Sequence, residues 1–288
     1  MLSPVVVVAM VMFFLCEAFL PVALRQMHEL DETPFLKMSW RAQASVALLI
    51  PIAAVEAWYF GGNMWLEYVK TAGSTMVLVL GLFGVGASWV ASFSLLSASL
   101  KMTSLAHATL CAVGMPPVFL TIHAILFKGE RPLIMELVGV VLAVVGIAIA
   151  VQDAGEGVVT LAGDLVALGS ALMAASFGLC ISHVRSSAPS VPIFNFQCAW
   201  SALALPLALL LPVLLGETEI DALTEDPTSS HSAGPGLLDW ATGAYWPQMI
   251  FLAIGMGIIC RECPSKTTRR LHRLRCVPCH ARHPASCH

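Results

Sequence analysis

An all-α, polytopic membrane helix bundle of about eight transmembrane helices is the fold class this sequence predicts. Three observations predict it. Eight apolar stretches, most of them 17 to 25 residues long, follow one another along the 288 residues. A hydrocarbon core about 30 Å thick takes about 20 apolar helical residues to cross. Charged residues make up 11% of the chain and hydrophobic residues 58%, whereas a soluble domain carries roughly 25% charged residues. Nearly every charge, moreover, falls in the joints between the stretches. Eight crossings with short joints leave no room for a sizeable soluble domain.

The first stretch, 4–24, contains Glu17 and has no basic segment ahead of it, so it reads as a retained helix and not a secretory signal. Glu29, Asp31 and Glu32 follow in the first joint. The second stretch, 42–59, stops at the turn-forming run Gly61-Gly62-Asn63. The third, 76–100, and the fourth, 103–127, are separated by Lys101 and Met102. The fourth carries Pro116 and Pro117 and ends in Lys128-Gly129-Glu130-Arg131-Pro132, a tight turn with Pro near a helix start. The fifth, 133–151, ends before Asp153-Ala154-Gly155-Glu156-Gly157. The sixth and seventh, 158–184 and 191–215, precede a long joint rich in Ser, Thr, Gly and acidic residues, which reads as a solvated loop. The eighth, 245–260, is short for a crossing at about 24 Å. It stops abruptly at Arg261-Glu262-Cys263-Pro264.

The Lys/Arg bias predicts orientation. With the N-terminus in the cytoplasm, Lys70, Lys128, Arg131, Arg185 and the basic tail share that side, against Arg25, Lys37, Arg41 and Lys101 opposite. Seven of the fifteen Lys and Arg residues lie in the tail, 261–288, so both termini are expected inside. Nine cysteines do not make a disulfide framework: Cys16, Cys111, Cys180 and Cys198 lie within spans as small apolar fillers. The sequence offers no Gly-rich phosphate loop, catalytic triad or paired catalytic carboxylates, and no aromatic-interleaved basic run for nucleic acid. No enzyme activity and no cofactor are expected.

Small residues form helical faces. Gly81, Gly84, Ser88, Ala91 and Ser92 share one in the third span. Glu136, Gly139, Ala143, Gly146 and Ala150 share another in the fifth, and Gly163, Ala167, Ser170, Ala174 and Gly178 a third in the sixth. Such faces let helices approach closely where lipid is as apolar as the partner, so packing is their expected role.

Ionisable groups within spans point to function. Glu17 lies about 20 Å into the first span, suited to protonation, cation binding or pairing with a neighbouring helix. Glu56 sits near the end of the second span, an interfacial position. His107 and His123 bracket Pro116 and Pro117 and fall about 160° apart on an ideal helix, a poor pair for one metal. The double proline frees backbone carbonyls and bends a helix, and broken helices mark binding sites in transporters. Trp89, midway in the third span, suits a core or an aromatic wall. Glu17, Trp89, His107, Pro116, Pro117 and His123 are thus the candidates for a substrate pathway.

From Ala98 to Val151 the order of short motifs carries a resemblance. Ala98-Ser99-Leu100-Lys101-Met102-Thr103-Ser104 is followed by Ala106-His107-Ala108, Pro116-Pro117, Gly129-Glu130-Arg131, Gly139 and Gly146. This resembles the EamA family of the drug/metabolite transporter superfamily. The resemblance implies two inverted five-helix repeats, with Thr103, Gly129, Glu130, Gly139 and Gly146 as structural signatures. It implies a first repeat over 4–151 and a partial second over 158–260 opening at Gly163-Asp164-Leu165, so that spans six, seven and eight correspond to one, two and three. Glu130 is expected to cap the following helix.

The tail, 261–288, is expected to be disordered. Cys263, Cys276, Cys279 and His280 offer zinc-like spacing without a fixed frame. An anionic-lipid patch and a segment unrelated to the bundle are the other readings. Two functions follow. The resemblance implies a secondary transporter of a small organic metabolite, with membrane lipid and the solute as partners and a homo-oligomer left open. The alternative is a non-transporting truncated isoform or assembly partner, because the counterparts of spans four and five are not found after Cys260.

Overall fold

The computed structural model describes residues 34–61, 75–129, 131–152, 160–187 and 191–216. Among them stand six α-helices and no strands. They are α1 (Pro34–Phe60), α2 (Thr75–Met102), α3 (Leu105–Lys128), α4 (Ile134–Gln152), α5 (Leu161–Ser187) and α6 (Ile193–Leu214). Five are long and apolar enough to cross a membrane, while α4 offers a shorter apolar stretch, Ile134–Ile149. The first and eighth predicted spans, with Glu17, Glu130 and the whole tail, lie outside the described residues.

Helices α2 to α6 follow the third through seventh apolar stretches closely, because each joint carries a physical stop. Ser104 caps α3 by accepting the amide of His107 at 3.2 Å. Gly129 ends the same helix at φ 61°, a left-handed conformation that glycine adopts without cost, and its amide donates to Ala124 O. Helix α1 departs from expectation. It begins at Pro34, eight residues before the predicted start at 42, and draws Lys37 and Arg41 into the helix. Both are buried. The Arg41 guanidinium lies 3.6 Å from the ring centre of Phe93 and 5.5 Å from that of Trp89. These two cations are therefore not joint residues, and the orientation bias rests on the others.

The two longest contacts pair α2 with α5 and α1 with α6. Helices α2 and α5 run antiparallel: Gly81 meets Val184 at one end, Ser92 meets Ser170 midway, and Met102 meets Gly163 at the other. The serines exchange hydrogen bonds, each hydroxyl donating to the other's backbone carbonyl at 3.1 and 2.8 Å. The small faces make this approach possible. On α5 the buried positions include Ala167, Ser170, Ala171 and Ala175, so the predicted face holds at Ala167 and Ser170 and passes to Ala175 in place of Ala174. Helix α6 crosses α2 where Gly86 approaches the Ala204 side chain and the Trp200 carbonyl. Beside it Trp89, Trp200, Phe93 and Phe177 stack edge to face with centroids 5.3 to 5.9 Å apart.

Helix α4 corrects the sequence reading. Its glycine face was expected to pack, yet a side chain built at Gly139 or Gly146 would meet nothing among the described residues. The half-buried positions are Val140, Ala143 and Ile147, and Ile147 reaches Gly114 of α3. Among the described residues Val140, Ala143 and Ile147, not the glycines, make the contact, and of these Ala143 belongs to the predicted face. The Glu136 carboxylate accepts the amide of Leu133 at 2.9 Å and so caps this helix, while the cap expected of Glu130 lies outside the described residues.

Candidate functional site

Three helix ends converge beside α2's last turn, and their caps build a buried polar site. Thr160 precedes α5. Its hydroxyl accepts the amide of Gly163 at 3.1 Å and donates to Met102 O at 2.6 Å, so it serves the start of α5 and the end of α2 together. The Thr160 amide also donates to Met102 O, at 3.2 Å. Gly163 lets the backbones touch there, since a Cβ would stand 2.6 Å from the carbonyl carbon of Met102.

This close approach sets Asp164, in the first turn of α5, against the opening of α3. Thr103 Oγ1 donates to Asp164 Oδ1 at 2.6 Å. Nδ1 of His107 lies 3.4 Å from each carboxylate oxygen. All three side chains are buried. A carboxylate so placed is held by the hydroxyl, by the imidazole and by the positive end of the α5 dipole. The far ring nitrogen of His107, Nε2, is buried with no hydrogen-bond partner among the described residues.

The arrangement is not a hydroxyl nucleophile relay, because Thr103 donates to the carboxylate and not to the imidazole. Among the described residues no three His, Cys, Asp or Glu side chains gather in a way that could hold a metal.

The other pathway candidates are placed elsewhere. Trp89 stands in the aromatic core, 2% exposed. His123 is stacked on Phe127 at 5.1 Å toward the opposite end of α3, so the two histidines do not meet. Pro116 and Pro117 lie within a helix that runs unbroken from Leu105 to Lys128. The prolines still deprive the carbonyls of Ala112 and Val113 of their i+4 donors, while Thr121 Oγ1 donates to Pro117 O at 2.9 Å.

Sequence reasoning placed Thr103 among structural signatures and passed over Asp164. The available signal was an acid one turn inside an apolar span, in the Gly163-Asp164 opening. Glu56 was expected at an interface. It accepts the Asn195 amide at 2.8 Å and the Asn195 side-chain nitrogen at 2.9 Å, so it also caps α6 and ties it to α1.

The EamA family model, described as the EamA-like transporter family, matches residues 4–152, just over half of the chain. This chain is a member of the EamA-like transporter family. The matched segment takes in α1 to α4 of this EamA-like protein, and with them Thr103 and His107, while Asp164 lies beyond it. Family and helices together make it an integral membrane protein of transporter type. No curated protein matches the chain.

Proposed function

We propose that this EamA-like protein is a secondary transporter that carries a small organic solute between two inverted helical repeats. Family membership carries the reading. The packing supports it: the pairing of α1 with α6 is a pairing of the second and seventh spans, which occupy equivalent places in the two repeats. Transporters of such construction bind their solute near the repeat interface. Buried polar groups in a membrane face one another or a wet passage, not lipid, and here they cluster where α2, α3 and α5 meet. We place the passage along the polar flanks of these helices, with His107 at one end and His123 toward the other. Trp89 acts as core packing beside it.

Flux in proteoliposomes tests this. With the protein shown to be folded, at least one member of a broad panel of radiolabelled metabolites is expected to equilibrate faster than in empty vesicles. Asp164→Asn is expected to slow that flux roughly tenfold or more, by loosening the junction. A folded protein that moves none of the panel would count against transport.

A further inference from the structure

We propose that His107 and Asp164 form a buried proton-binding site whose occupancy sets how tightly the first turn of α3 docks on α5. Nδ1 of the imidazole faces the carboxylate, 3.4 Å from each oxygen. Nε2, buried and without a partner among the described residues, is then the ring atom at which a proton is gained and lost. The exchange is simple acid–base chemistry: the N–H bond at Nε2 breaks, its electron pair stays on nitrogen, and water receives the proton.

The direction of the effect follows from charge. With a neutral imidazole, Asp164 is a buried carboxylate supported by Thr103 Oγ1 and by the helix dipole. With a protonated imidazole the pair is neutral as a whole, and its contact becomes charge-assisted. A buried charge is costly unless paired. Proton binding therefore favours the docked junction, and proton release favours an opening that lets water reach the carboxylate. The ionisable groups on the adjoining elements that stand within two turns of the pair in sequence are Cys111, buried one turn beyond His107 on α3, and Lys101, exposed in the last turn of α2; His123 and Lys128 lie further along α3, and Cys180, His183 and Arg185 further along α5. None of them supplies the hydrogen bond that Asp164 takes from Thr103. This goes beyond the transport reading and stands without it; a transporter would use such a site to link proton movement to that of its solute.

The test uses the full chain in lipid nanodiscs. Deuterium exchange at the imidazole C2 position, resolved by mass spectrometry, follows the charge of each histidine between about pH 5 and 8, the range in which histidine serves as a switch. Asp164→Asn is expected to change the charge response of His107 while leaving that of His123 unmoved. Amide exchange over residues 104–111, corrected for intrinsic rates, is expected to slow roughly tenfold on acidification. That slowing should vanish in His107→Gln. Where Asp164→Asn fails to fold, Thr103→Val serves instead: stripping a donor from the carboxylate is expected to change the charge response of His107 as well. A single charge state for His107 throughout, a charge response indifferent to these substitutions, or equal amide protection at both ends of the range overturns the proposal.

Discussion

Gly163 and Gly139 look alike in the sequence and differ wholly in the structure. A Cβ at Gly163 would stand 2.6 to 2.8 Å from Met102 atoms, and one at Gly86 would stand 2.5 Å from the Ala204 Cβ. One at Gly139 or Gly146 would meet nothing among the described residues. Gly163→Ala and Gly86→Ala are therefore expected to destabilise the protein by about 1–3 kcal/mol through overpacking. Gly139→Ala and Gly146→Ala are expected to be neutral or to stabilise by up to about 1 kcal/mol through helix propensity. Unfolding in mixed micelles measures all four, and equal costs would contradict the packing described. At the polar site, Thr103→Val strips the hydroxyl from a buried carboxylate and is expected to cost about 1–3 kcal/mol. Thr103→Ser keeps the donor, so most of that loss should be spared in the same assay. Thr103 was legible as part of a motif. Its partner was not, because Thr103 and Asp164 are 61 positions apart and no local pattern joins them.

Helices were legible because apolar length and turn chemistry are local properties. Faces were less so. On α2 and α5 the small residues do pack, and the reciprocal bonds of Ser92 and Ser170 hold them in register. Membrane hydrogen bonds contribute about 0.6 kcal/mol each. Ser92→Ala and Ser170→Ala each remove one bond to a backbone carbonyl, so the double variant is expected to lose roughly 1 kcal/mol, the sum of the two single losses, and no loss in either variant would mean the bonds do not form. On α4 the same kind of glycine spacing faces away from α3, and Val140, Ala143 and Ile147 make the contact. The start of α1 was misplaced for a related reason. Lys37 and Arg41 read as joint charges, yet the rings of Trp89 and Phe93 receive the guanidinium, an attraction between a cation and an aromatic face. Glu56→Ala removes the carboxylate that caps α6 and is expected to cost about 1–2 kcal/mol, with early loss of amide protection at residues 193–196.

At the scale of the whole molecule, the aromatic cluster joins α2, α5 and α6 through Trp89, Phe177 and Trp200. Trp200 is fully buried, whereas Trp58, 86% exposed at the end of α1, is placed to meet the membrane–water interface. Trp200→Ala is expected to lower Tm by several degrees, and Trp58→Ala much less; a thermal scan in one detergent compares them. Apolar surface covers much of the outside, including most of α4. The intact protein is accordingly expected to aggregate when detergent is removed, and a dispersed monomer in plain buffer would refute its membrane character.

By itself the sequence determined that the chain is a bundle of membrane-length helices, where most of those helices begin and end, and which family they resemble. Each of these follows from short-range composition: apolar length, cap residues, and motifs in order. Tertiary structure decided which faces touch, which charges are buried, and that an acid opening one helix meets a threonine and a histidine opening another. Those outcomes depend on how far apart two helix axes can lie, and a single glycine against a backbone carbonyl sets that distance.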